Sequence, residues 1–146
     1  MRVVITGRNL PGRSFTSGDG TYDNVHVAVQ EGRDPLGLVP GDAPSARWEV
    51  DVRVVVGDDG AFDFRGPAVH GKRGERFIYL TWGDVDADHG FHMFRRAKLM
   101  LNRIDASVIE AAAAGELRAT VDLTDSCGGP RCARVDPPAL QWTHAQ

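Results

Sequence analysis

Residues 47–56, RWEVDVRVVV, put Trp48, Val50, Val52, Val54 and Val56 at every second position, with Arg47, Glu49, Asp51 and Arg53 between them. Successive side chains of a strand point to opposite faces, so a period of two predicts a strand with one face in a core and one in water. Gly57-Asp58-Asp59-Gly60 supplies turn chemistry, and Phe62 and Phe64 resume the alternation, so residues 47–64 read as a β-hairpin.

Further strands follow outward from this hairpin. RVVIT near the N-terminus is one, and NVHVAVQ alternates Val25, Val27 and Val29 against His26, Ala28 and Gln30. RFIYLTW is apolar at nearly every position, as a strand covered on both faces requires. ELRATVDLT turns Leu117, Ala119, Val121 and Leu123 to one side, and ALQWTH, entered from Pro137 and Pro138, is a last strand. Two stretches read as irregular: NLPGRSFTSGDGTYDN, with the composition of a surface loop, and EGRDPLGLVPGDAPSA, with three prolines and three glycines in sixteen residues.

Between residues 91 and 115 the period changes. Met93, Phe94, Ala97, Met100, Leu101 and Ile104 fall on one stripe of a helical wheel, with the acidic run DVDADHG placed to cap that helix. A second helix, ASVIEAAAA, is predicted after Asp105 as N-cap and ends at Gly115. The expected fold is therefore α+β, a single globular domain over residues 1–146. It has a mostly antiparallel sheet of six or seven strands, curled toward a barrel or sandwich, and a helical pair between the fifth and sixth strands.

Seventeen basic residues against twenty acidic ones, a net charge of -3, argue against charge-driven binding to nucleic acid or an anionic membrane. MRVVITGRNLPG contains no apolar run of signal or spanning length, which leads to the expectation of a cytoplasmic protein. In that compartment Cys127 and Cys132 read as two ordinary thiols in a turn, ahead of a zinc site or a labile disulfide.

GPAVHGKRG imitates a phosphate-binding loop but fails its requirements. Arg73 stands where a hydroxyl residue belongs, Pro67 removes an amide donor, and a strand rather than a helix follows. The segment reads as a connection between two strands. Its surroundings are nonetheless basic: from Arg65 to Arg103 there are eight basic residues against four acidic ones, in a chain that is acidic elsewhere. FRRAK puts Arg95 and Arg96 on the flanks of the expected helix, where guanidinium forks would suit a carboxylate or phosphate.

Other constellations are thinner. His89 and His92, three apart beside Asp84, Asp86 and Asp88, are the candidate metal ligands, though no third fixed ligand is evident. His26 and His70 are the candidate acid/base residues. Glu49 and Asp51 share a strand face, but Arg47 and Arg53 flank them and ion pairing is the plainer reading. Neither a serine-hydrolase elbow nor a Rossmann glycine fingerprint is present.

In LVPGDAPSARWEVDV, DFRGPAVHGKRGERFIYLTWG and MFRRAKLMLNRI the chain resembles a family of small uncharacterised actinobacterial proteins, a domain of unknown function. The resemblance covers most of the chain and implies a single cytoplasmic domain; it implies no activity or site residue.

The residues themselves lead to a binding domain for a small anionic molecule, with no cofactor, no nucleic acid and no membrane as partner, and a homodimer left open. Arg95, Arg96, His70 and Lys72 would hold the anion, with Tyr79 and Trp82 as aromatic walls. The alternatives are a cofactor-independent isomerase, cyclase or lyase using His26 or His70 in a barrel-like cavity, and a module offering its basic surface to an acidic protein.

Overall fold

The computed structural model describes residues 1–10, 12–17, 20–31, 34–66, 69–70, 74–88, 90–113, 115–123 and 139–145. The described chain is mostly strand, but the single six- or seven-stranded sheet expected is replaced by two main sheets and no closed barrel, since each group of strands hydrogen-bonds only within itself.

The first sheet has the order β13-β12-β1-β6, built from β1 (Arg2–Arg8), β6 (Ser45–Asp51), β12 (Glu116–Asp122) and β13 (Ala139–Ala145). Here β1 pairs antiparallel with β6 and parallel with β12. The second has the order β11-β10-β4-β5, from β4 (Val25–Glu31), β5 (Asp34–Pro40), β10 (Phe77–Asp86) and β11 (Gly90–Met100), with β9 (Val69–His70) also paired to β10. Two small hairpins complete the strands: β2 (Phe15–Ser17) with β3 (Gly20–Tyr22), and β7 (Arg53–Val56) with β8 (Phe62–Arg65).

The period-two reading of residues 47–56 holds as far as Val52, with Trp48, Val50 and Val52 buried on one face, whereas Val56, expected on that face, is 60% exposed. That run is not one strand of one hairpin, however. It breaks at Val52, whose N–H donates to the Met1 carbonyl while the Met1 amino group donates to the Val52 carbonyl. Residues 45–51 stay in the first sheet, and residues 53–56 peel away to pair with β8. The turn at Gly57–Gly60 forms as read, with Gly60 at φ 77° and the Ala61 N–H donating to Asp59 Oδ1.

Apolar faces of the two sheets meet in one core. Val3, Ile5, Trp48, Val50, Leu117, Ala119 and Val121 come from the first sheet. Val25, Val27, Val29, Ile78, Leu80, Trp82, Ala97 and Leu99 come from the second. Trp48 joins the two directly: its indole N–H donates to the Gly37 carbonyl of β5 at 2.9 Å.

Further sequence expectations are corrected. Residues 90–100, read as the first helix of a pair, are the long strand β11, so α1 (Ala106–Ala113), packed on β12 and β13, is the one helix among the described residues. The acidic run read as its cap is the β10–β11 hairpin turn, where the Asp88 N–H donates to Asp86 Oδ1 and Gly90 takes φ 81°. A bulge at Trp82/Gly83 slips the register by one residue, and this slip inserted into a period of two imitates helical spacing. The proline- and glycine-rich run 31–46 contains β5, an edge strand, where proline's missing N–H faces no partner. The loop over 9–24 likewise contains β2 and β3. The strands and the helix at residues 106–113 otherwise stand where the sequence put them, and GPAVHGKRG, read only as a connection, lies between β8 and β10 and itself carries β9.

Candidate functional site

Cross-strand register sorts the second sheet into two faces. Leu80, Val29, Trp82, Val27 and Ala97 belong to the core side. The outward side carries rows in which Tyr79 pairs with Gln30 and Lys98, Thr81 with Ala28 and Arg96, and Gly83 with His26 and Met93. On this outward face Gln30, Pro35, Thr81, Phe91 and Met93 line a hollow of about 220 Å³. Its floor is Thr81, 1% exposed, whose hydroxyl donates to the Ala28 carbonyl at 3.1 Å. Met93 stands at its wall, 41% exposed. Gln30 Oε1 is buried and receives no hydrogen bond.

Among the described cations of the basic segment, Arg65, Arg76 and Lys98 have structural employment. Arg76 Nε donates to Asp63 Oδ1 at 2.8 Å, Arg65 pairs with the same carboxylate, and Lys98 pairs with Glu75 at 3.4 Å while lying over the Phe77 ring. Among the described cations of this segment, Arg96 and Arg103 have no carboxylate partner. Arg103 sits in the turn after β11, whereas Arg96 lies with its guanidinium 4.7 Å from the Tyr79 ring centroid, in the row of Thr81. Tyr79 is itself set edge-on against Phe77 at 4.8 Å between centroids. Stacking on an aromatic face orients a guanidinium without consuming its N–H donors, which stay available to an anion.

Asp63 shows how the paired part of the segment works. Burial opposes ionisation of its carboxyl, yet hydrogen bonds from Arg76 and Arg65 outweigh it and hold the pKa below the ordinary carboxylate value. A depressed folded value means that ionised Asp63 stabilises the fold fully above the unfolded pKa, about 3.9, and stops doing so as pH falls through the folded value. Asp63→Asn should therefore be less stable than the wild type at neutral pH, with the gap closing on acidification below about pH 4. Urea unfolding followed by circular dichroism across that range checks it; a gap independent of pH would show that the Asp63 carboxylate is not the source.

The sequence candidates separate accordingly. Arg96 and Tyr79 share the outward face. Trp82 does not: it is 1% exposed in the core, with its indole nitrogen buried and unpartnered, so it cannot wall an open site. Arg95 and Arg96, read as neighbours on a helix, instead occupy successive strand rows, opposite Trp82 and Thr81 respectively. Lys72 and His89, with Cys127 and Cys132, lie outside the described residues, as do the side chains of Arg95 and of His70, whose backbone pairs with Phe77. His92 stands opposite Asp84 in register, but no group of three His, Cys, Asp or Glu among the described residues could hold a metal. His26 is half-buried on the outward side, its Nδ1 3.0 Å from the Asn24 carbonyl. A carbonyl only accepts, so Nδ1 carries the proton, and Nε2 of the neutral ring is a free base. Glu49 pairs with Arg47 at 2.8 Å and with Arg2, the structural role that its spacing suggested.

These pieces define a largely antiparallel two-sheet protein with a small open hollow on the outer face of one sheet. Residues 1–145 match the model of a family of unknown function (DUF5990), and the chain belongs to that family. No curated protein and no solved structure matches it. Membership carries no activity, source organism or cell compartment. No helix among the described residues is long and apolar enough to cross a membrane.

Proposed function

We propose that this chain is a binding domain for a small anionic molecule, seated on the outward face of the second sheet. The observation that carries the reading is Arg96, held on Tyr79 without a carboxylate partner beside a hollow with apolar walls. The guanidinium would take the acidic end of the guest, and Pro35, Phe91 and Met93 would cover its apolar part. The hollow favours this reading over a flat basic surface offered to an acidic protein.

Thermal melts with short carboxylates and with inorganic phosphate test it. A bound acid at a hundred times its Kd should add about 2.7 kcal/mol of stability. Arg96→Ala should weaken that acid about 10- to 100-fold, the value of a charge-assisted hydrogen bond. Absence of any shift across the panel, or shifts unchanged in Arg96→Ala, would reject the reading.

A second reading, cofactor-independent catalysis on the same guest, rests on His26 and its free Nε2. Under it, His26→Gln retains binding of the acid and loses turnover; equal loss of both would assign His26 to binding alone.

A further inference from the structure

We propose that β11 takes up an acidic, extended peptide segment as an added antiparallel strand. This goes beyond anion binding and does not rest on it: one uses the outward face of the second sheet, the other its edge. In the order β11-β10-β4-β5, the far side of β11 pairs with no strand among the described residues. The Leu101 N–H donates to the Arg76 carbonyl at 2.8 Å, beside the pair of Phe77 with Met100. Bonded and non-bonded pairs alternate along an antiparallel ladder, so Leu99 and Ala97 also turn their backbone groups to β10, whereas the N–H and C=O groups of Arg96, Lys98 and Met100 point off the sheet. Such a row is a template for a further strand.

Charge decides what fits this edge. β11 has no proline along its 11 residues, and it contains Arg95, Arg96 and Lys98 but no carboxylate. No register of a self-pair therefore offers an opposite charge, and a two-fold axis at Ala97 would set Arg96 against Lys98 twice. Like charges directly opposite destabilise a strand pair, and unlike charges stabilise it. The chain as a whole carries a net charge of -3, so attraction for an acidic segment is local to this strand. Arg96 and Lys98 stand two residues apart on the same face, over the rings of Tyr79 and Phe77. Lys98 also keeps donors beyond its pair with Glu75. An acidic residue at every second position of an added strand would bring a carboxylate opposite each cation. The other edge of the sheet, β5, suits a further strand less well, because Pro35 and Pro40 lack N–H donors.

Fluorescence anisotropy of the whole chain with a short labelled peptide of alternating glutamate and threonine tests this. The peptide should bind, and its counterpart with lysine for glutamate should not. In an antiparallel pair the residues opposite Arg96 and Lys98 share their hydrogen bonds, so the N–H groups of the glutamates themselves face β11. N-methylation of the glutamates should therefore weaken binding by more than about tenfold, and N-methylation of the threonines should leave it nearly unchanged. Arg96→Ala and Lys98→Ala should each weaken it about two- to fivefold, the value of one cross-strand ion pair. A peptide held by a single side-chain carboxylate, as anion binding alone allows, tolerates either methylation. Equal binding of the two methylated peptides thus overturns the inference and leaves the anion reading standing, as does a loss confined to the methylated threonines. Failure of the unmethylated peptide to bind overturns it as well, and sedimentation of the chain then shows whether a second copy holds the edge; the anion reading is judged separately, by its own panel of short acids.

Discussion

Trp48→Ala is expected to cost the fold about 3–5 kcal/mol, the range for emptying a buried tryptophan site. Its indole is 3% exposed and fills the space between two glycines of different sheets. A Cβ on Gly7 would stand 3.2 Å from the indole edge, and one on Gly37 would stand 3.3 Å from Cδ1. The truncation also strips the Gly37 carbonyl of its donor. Trp48→Phe separates the two contributions, since it retains a ring and loses only the N–H and some volume; a cost of about 1–2 kcal/mol is expected. Urea unfolding followed by far-ultraviolet circular dichroism gives both values. A loss under about 1 kcal/mol for Trp48→Ala would mean that this side chain does not hold the sheets together.

Gly83→Ala should be nearly as damaging, for a steric reason. A Cβ at this position would lie 2.1 Å from the His92 carbonyl oxygen and 2.7 Å from Met93 Cα, atoms of the neighbouring backbone that no rotamer change can move. Accommodating it means prying β11 off β10 at the bulge. The expected cost is about 3 kcal/mol, the upper end for overpacking. Gly60→Ala is the control: Gly60 has φ 77° and open space around it, so only backbone strain of about 1–2 kcal/mol is expected. Because Met93 sits opposite Gly83 and lines the hollow, Gly83→Ala should also abolish anion binding in whatever fraction stays folded. Stability and binding that both match the wild type would show that the bulge can relax without Gly83.

The same bulge explains why the sequence misled at β11. Ala97, Leu99 and Leu101 alternate as core residues of a strand should, and Phe91 and Met93 alternate on the other face, but the extra residue between these groups shifts the phase. With apolar residues on both faces and one slip in period, a helical stripe fits as well as an interrupted strand. The choice was made by β10, an almost wholly apolar strand that requires a partner along each edge. At β5 the composition misleads in the other direction, because proline and glycine rule out a central strand but not an edge.

The candidate site was half legible. Arg96 and Tyr79 stand out as a cation and an aromatic in one basic segment, and their contact needs only adjacent strands. Gln30, Pro35, Thr81, Phe91 and Met93 went unnoticed, because they come from four strands and share a wall only after β4, β5, β10 and β11 align. One signal was available for Gln30: it lies on the non-core side of NVHVAVQ together with His26 and Ala28.

The chain's own pattern thus determined the strands whose alternation is unbroken, which of their faces are apolar and where the cations cluster, since period, turn chemistry and charge are local properties of neighbouring residues. Tertiary structure alone decided how the strands divide between two sheets, that Trp82 is interior while Tyr79 is not, and which arginine keeps its donors. Those outcomes depend on register and ion pairing between segments far apart in sequence, where a shift of one residue exchanges the buried face for the exposed one.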